Sequence, residues 1–212
     1  MGREFLELFE QWADSYDETV VGHDLEYKEV FKHYEQILEE VAERSFGHVI
    51  EFGVGTGNLT NKLLEKGLEV TGIEPSPSMR KIAQEKLGER VTILDGDFLN
   101  FPFLEKVDTL VSTYAFHHLT DNEKAEAIAT YGKLLPQGGK IVFADTMYES
   151  EAEYKKAISD SIQKGFLNLA TDLQTEYYTT MPILRGILES NGFVVKFSKC
   201  NDFVWLMEAE KQ

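Results

Sequence analysis

Cysteine is almost missing from this chain. Cys200 stands alone, so no disulfide can close within one copy, and a reducing compartment is the natural setting. Proline is scarce as well, five in 212 residues, and no Pro-rich linker, low-complexity stretch or internal repeat divides the sequence. No apolar run reaches the roughly 18 residues that a membrane-spanning helix needs, and residues 1–9 carry acids where a secretory leader would be apolar. Basic charge is short: Lys plus Arg total 21 against 37 Asp plus Glu, a formal net charge of -16. A surface of that sign repels phosphate, so nucleic acid is excluded as a first guess. The most cationic window, 79–86, mixes in Glu85 and reads as a solvated helix face. A cytoplasmic chain without membrane or nucleic-acid partners is the expectation. Oligomeric state leaves no mark.

What is present is ordinary globular material, 42% hydrophobic and 27% charged. Its length suits one domain. Phe5, Leu8, Phe9, Trp12 and Tyr16 recur at helical spacing, as do Tyr27, Val30, Phe31, Tyr34, Ile37, Leu38 and Val41, so two helices precede the core. Strand-like runs at 48–52, 68–73, 91–94, 107–113 and 140–144 then alternate with amphipathic stretches, the pattern of a parallel sheet with crossover helices. Ser76 and Pro77 read as N-cap and first helical residue, and Thr120 with Glu123 as a capping box. The crossover at 97–106, with Pro102 inside it, is not clearly helical. Further on, 151–169 and 182–190 read as helices. Runs 193–199 and 203–208 are separated by three residues, too few for a parallel crossover, so they form an antiparallel hairpin. The expected fold is α/β: a doubly wound, Rossmann-like, seven-stranded and mostly parallel sheet with an antiparallel C-terminal hairpin and N-terminal helices. It divides into an N-terminal helical lid at 1–44 and a core at 45–212 that carries a helical cap near 149–180.

Glu51-Phe52-Gly53-Val54-Gly55-Thr56-Gly57 falls where the first strand gives way to the first crossover helix, at the carboxyl edge where open α/β sheets bind ligands. Gly53, Gly55 and Gly57 permit a tight turn and let a ligand approach bare backbone, and the helix start offers N–H groups to a carboxylate. The spacing is G-x-G-x-G, not the G-x-G-x-x-G of dinucleotide loops, because Asn58 or Thr60 falls where a third glycine belongs. Glu51 would crowd a pyrophosphate but suits a ligand bearing ammonium and sulfonium charge. Glu74, at the end of the second strand, is placed to accept from ribose hydroxyls. Asp97 can accept from an exocyclic amino group, Phe98 offers a face to a purine and Met79 the opposite one. The acids stand at three successive strand ends, which chance does not readily arrange.

These residues resemble the class I S-adenosylmethionine-dependent methyltransferases, whose first motif is acid-x-G-x-G-x-G. The resemblance extends through Glu74, Gly96-Asp97-Phe98, Ala115-Phe116-His117-His118-Leu119 and the Leu134 to Gly139 turn to the closing hairpin. Gly2-Arg3-Glu4-Phe5 and Trp12-Ala13-Asp14-Ser15-Tyr16-Asp17 are similar to the small bacterial YrrT family of methyltransferases. The resemblance implies S-adenosylmethionine as cofactor and S-adenosylhomocysteine as product. It also implies cofactor contacts at Gly53, Glu74 and Asp97, and a lid at 12–17 in which Tyr16 touches the ligand.

Methyl transfer is an in-line displacement from a positive sulfur, so alignment can supply much of the rate, roughly 7–11 kcal/mol. A base is needed only for an acceptor that arrives protonated. Thr113, Tyr114, His117 and His118, with Asp145 after the fifth strand, are the candidates. Thr113 is assigned to the cofactor and His117 to catalysis. At most one of the adjacent histidines is expected to face the cleft, the other capping the Thr120 turn. Methyltransferases acting on amide or exocyclic nitrogen often carry Asn or Asp before Pro-Pro-Tyr here, whereas this chain has Ser112-Thr113-Tyr114-Ala115, which disfavours adenine and glutamine acceptors. No His/Asp/Glu grouping has metal-ligand spacing along the chain, and no metal is expected. A small-molecule methyl acceptor follows from the acidic surface and short chain. The rival readings are a module that binds S-adenosylmethionine or S-adenosylhomocysteine without turnover, and a nicotinamide-dependent oxidoreductase.

Overall fold

The structure is a computed structural model that describes residues 24–102 and 106–212. Seven strands form one sheet: β1 (His48–Phe52), β2 (Glu69–Ile73), β3 (Thr92–Leu94), β4 (Thr109–Thr113), β5 (Lys140–Thr146), β6 (Phe193–Lys199) and β7 (Val204–Lys211). Their order is β3-β2-β1-β4-β5-β7-β6. β1 to β5 pair in parallel, and β7 inserts antiparallel between β5 and β6. The order reverses beside β1, so the carboxyl ends of β1 and β4 diverge around a crevice.

Alternating side chains on the strands explain the layers. Ile50, Phe52, Leu110, Ile141 and Phe143 point to one face, where they pack with Ala127, Ile128 and Tyr131 of α4 (Asp121–Leu134) and Leu184 and Leu188 of α7 (Met181–Ser190). Val49, Val111, Val142 and Ala144 point the other way, against α1 (Tyr34–Arg44), α2 (Asn58–Glu65) and α3 (Pro77–Leu87). Full burial of each large aliphatic side chain contributes about 1.5–3 kcal/mol, so both helical layers are needed to cover a sheet that is apolar on both sides. Two further helices, α5 (Glu151–Gln163) and α6 (Leu167–Thr175), follow β5 as a cap.

Local signals act as expected at two starts. Ser76 Oγ accepts the Met79 N–H at 3.2 Å with Pro77 at the first position of α3. Thr120 and Glu123 close a reciprocal capping box on α4. Elsewhere the structure departs from the sequence reading. The helix expected from residue 27 begins at Tyr34, because His33 turns left-handed with φ 65. Of the expected lid at 1–44, residues 34–44 are a core helix: Leu38 and Val41 are completely buried against the sheet. The single helix expected at 151–169 is two, broken at Gly165, whose φ of 77 ends α5. Residues 97–102 and 106 form no helix. No helix among the described residues is long and apolar enough to cross a membrane.

Candidate active site

Glu51, the residue before the last of β1, is 1% exposed, and its carboxylate accepts from the Thr60 hydroxyl of α2 at 2.6 Å. Burial, only partly offset by that hydroxyl, pushes its pKa up to about 8. Such a group gains from any cation that settles beside it. Glu74, just beyond β2 and also buried, accepts the Gly55 N–H at 2.9 Å and the Ser76 N–H at 2.8 Å, so one carboxylate braces both the glycine loop and the start of α3. Its own N–H donates to Leu94 O at the end of β3, which ties together the ends of two strands. Asp97 follows β3, and its Oδ1 accepts the Leu99 and Asn100 N–H groups at 3.0 and 2.9 Å, which fixes the turn.

The three loop glycines answer different demands. A Cβ on Gly53 would lie 2.9 Å from Cβ of Ala115, so the segment after β4 passes directly over the loop. A Cβ on Gly57 would strike Leu87 of α3 at 2.8 Å. At Gly55, φ is +56 and, among the described residues, no atom lies within 4 Å of a built Cβ, so bare main chain faces an opening in that part of the structure. That opening, beside the buried Glu51 and Glu74, is the cradle a cationic ligand needs.

One aromatic wall was not legible in the sequence. Tyr114 is left-handed at φ 54, and its ring meets Phe31 at 5.1 Å and Tyr34 at 5.6 Å. The Tyr34 hydroxyl accepts from Asn58 Nδ2 at 3.2 Å, which brings α1 to the first residue of α2. Thr113, half-buried, is paired with Ala144 in the sheet, and Met79 is buried at the start of α3. Phe98, expected to face a purine, has its ring stacked on Phe52 at 5.3 Å and edge-on to Phe116 and Phe143 inside the main core. Tyr16 and the whole 12–17 segment lie outside the described residues.

At the end of β4 the chain makes a short turn, Phe116–His118, that delivers His117 to Asp145 of β5. Asp145 accepts from His117 Nδ1 at 2.6 Å and from its backbone N–H at 2.9 Å, and takes the Thr146 N–H at 2.7 Å as well. An ionised carboxylate only accepts, so the neutral ring carries its proton on Nδ1 and its lone pair on Nε2. Nε2 lies 3.4 Å from Glu176 Oε2, the ring stacks on Tyr178 at 4.9 Å, and Tyr178 donates to Glu176 at 2.6 Å. Burial, the largest influence on His117, opposes charge on the ring, but Asp145 and Glu176 outweigh it and the pKa lies above the usual value. Burial, then the charges of His117 and Lys124, hold His118 well below it. Burial also raises Glu176. Lys124, 1% exposed, donates to Leu119 O and to Tyr177 O, and burial pushes it down to about 8.

Two further expectations change here. His118 does not cap the Thr120 turn, because Glu123 takes that role. Nor do the two histidines part: their rings lie 4.1 Å apart, and one ligand atom from each, with a Glu176 oxygen, all fall within 4.8 Å of one another. Glu176 was missed because nothing but its place between Tyr177 and Thr175 marks it in sequence. It reaches the site through the link between α6 and α7.

Sheet order, glycine loop and strand-end acids together define the fold of class I S-adenosylmethionine-dependent methyltransferases. Residues 49–139 match the family model of a methyltransferase domain. An uncharacterized methyltransferase of Bacillus cytotoxicus is 60% identical over 212 residues, covering 100% of both chains. The chain therefore belongs to this methyltransferase family. Among solved structures, magnesium protoporphyrin IX methyltransferase from Synechocystis with bound S-adenosylhomocysteine has a TM-score of 0.72 at 18% identity, covering 99% of this chain and 98% of that one. A methyltransferase from Thermotoga maritima has a TM-score of 0.68 at 17% identity, covering 98% and 100%. At these identities the solved structures speak for the fold.

Proposed function

We propose that this chain transfers the methyl group of S-adenosylmethionine to a small-molecule acceptor in the cytoplasm, with the donor along the carboxyl ends of β1 to β3 and the acceptor beside the His117 turn. The observation that carries this reading is the Gly55 opening braced by Glu74, with Glu51 buried on the adjacent strand. When bound, the donor supplies a carbon already activated by a positive sulfur, so no protein group need protonate the leaving thioether.

The chain's own residues bind and orient. Gly53, Gly55 and Gly57 shape the cradle. Glu74 supplies negative charge to a ligand bearing an ammonium and ribose hydroxyls, and Glu51, which burial keeps protonated in the free protein, gives up its proton when a cation settles beside it. Asp97 and Met79 border the base, and Thr113 closes the side toward the acceptor. Phe98 takes a packing role in this reading, and Tyr16 is retained on the resemblance alone. His117, fixed by Asp145, is the residue assigned to acceptor activation, and its distance from the loop is set by Ala115 lying against Gly53.

The acceptor is a small molecule because the surface is acidic and because the cap places Tyr148, Tyr154 and Tyr178 close to the His117 turn rather than offering an extended basic groove. The test is incubation with methyl-labelled S-adenosylmethionine and a metabolite extract. Label should appear in the low-molecular-weight fraction. Label confined to protein or RNA would refute the reading.

A further inference from the structure

We infer that His117, His118 and Glu176 form a binding site for one divalent transition-metal ion. The inference deepens the proposed function, resting on its placement of the acceptor beside the His117 turn. The donor set comes first. Two imidazoles and one carboxylate are the nitrogen and oxygen ligands that Zn²⁺ and its neighbours favour, and three protein ligands leave a coordination position open. Their spacing fits too. Two ligands on a tetrahedral metal at 2.0–2.1 Å stand about 3.3 Å apart, and His117 Nε2 and Glu176 Oε2 are 3.4 Å apart. The third ligand atom, from His118, lies within 4.8 Å of both.

A second observation is independent of the ligand atoms. Metal-bound histidines characteristically donate their other ring N–H to a carboxylate, which fixes the tautomer and aims the ring. Asp145 does this to His117 Nδ1 at 2.6 Å while holding the backbone of the same residue at 2.9 Å. Tyr178 orients the Glu176 carboxylate in the same way. The clustering is also deep. The side chains of His117 and Glu176 are 11% and 10% exposed, unlike the solvated acid clusters that line many surfaces.

The proposal differs from a plain histidine base in what the acceptor must offer. A metal takes the deprotonated nucleophile of a thiol or an alcohol as a ligand. The proton leaves to solvent, the bound atom's lone pair attacks the methyl carbon, and the carbon–sulfur bond breaks with its electron pair on sulfur.

The test uses the full chain after chelator treatment and dialysis. Co²⁺ is added while visible absorption is followed, and Zn²⁺ is titrated by calorimetry. Wild type should take up one equivalent with the absorption bands of low-coordinate cobalt. Glu176→Gln and His118→Ala should weaken uptake at least tenfold, and Asp145→Asn by roughly 10–100-fold. His33→Asn, at an exposed left-handed position distant in sequence from the turn, should leave uptake unchanged. Far-ultraviolet circular dichroism and the thermal shift with S-adenosylhomocysteine report whether each variant is folded. Wild type that stabilises with S-adenosylhomocysteine but binds neither metal, or binds it equally in folded His118→Ala and Glu176→Gln, overturns the metal site and leaves the cofactor reading standing. Metal uptake without any response to S-adenosylhomocysteine would do the reverse.

Discussion

Glu51 is a carboxyl group almost without water, and its pKa of about 8 against an ordinary 4.5 makes it a pH-dependent liability to the free protein. Between those values the native state holds a proton that the unfolded chain has released, so this residue's contribution to stability falls as pH rises from 4.5 to about 8. Glu51→Gln abolishes that loss. Relative to wild type, its melting temperature should rise progressively with pH across the window. A difference of a few kcal/mol corresponds to several degrees at about 2–4 °C per kcal/mol. A gap that stays constant with pH would contradict the assignment. The loop glycines make a second residue-scale prediction. Among the described residues Gly55→Ala meets no atom within 4 Å, so it should cost only about 1 kcal/mol through its positive φ and yet weaken S-adenosylhomocysteine binding strongly. Gly53→Ala strikes Ala115 and should cost more, about 1–3 kcal/mol, and Ala115→Gly should recover part of it. Chemical denaturation with parallel binding assays separates the two effects.

At the scale of elements, the link between α6 and α7 is fastened to the His117 turn by backbone and by one buried cation. The Tyr177 N–H donates to His117 O at 3.0 Å, and Lys124 grips the Tyr177 carbonyl at 2.7 Å. Lys124→Ala leaves that carbonyl and the Leu119 carbonyl without their donor, at a cost of about 2–4 kcal/mol. Limited proteolysis should then cut near 176–180 faster than in wild type, and unchanged cleavage would show that the latch is not held by Lys124.

These elements also show how far sequence reaches. β1 to β5 and the α2 to α4 crossovers were legible because burial on both faces writes continuous Val/Ile/Leu runs, and because caps such as Ser76 and Thr120 are local chemistry. The ends of the strands were less so: β7 runs to Lys211, beyond the expected residue 208, since pairing with β5 and β6 rather than composition sets its length. Gly165 was visible, but its helix-breaking conformation was not. Within the site, the glycine loop and the strand-end acids announce themselves through position in a known pattern. An aromatic next to a strand-end acid, such as Phe98, reads the same in sequence whether it faces ligand or core. Glu176 and Lys124 were invisible as site residues, being brought to His117 by long-range packing that leaves no spacing in the chain.

On the scale of the whole molecule, a net charge of -16 on 212 residues is a self-repulsion that salt screens. The melting temperature should therefore rise from low ionic strength to about 0.15 M. A fall would mean that surface ion pairs such as Lys62 with Glu35 and Glu39 outweigh the net charge. In the proposed function, the carboxyl ends of β1 to β3 hold S-adenosylmethionine through Glu74 and the loop it braces. Calorimetric titration of S-adenosylhomocysteine into wild type and into folded Glu74→Gln tests this most directly. One equivalent should bind wild type, with affinity at least tenfold lower in the variant, about 1.4 kcal/mol. Equal affinity in the two proteins, or binding of NADH in place of S-adenosylhomocysteine, would contradict it.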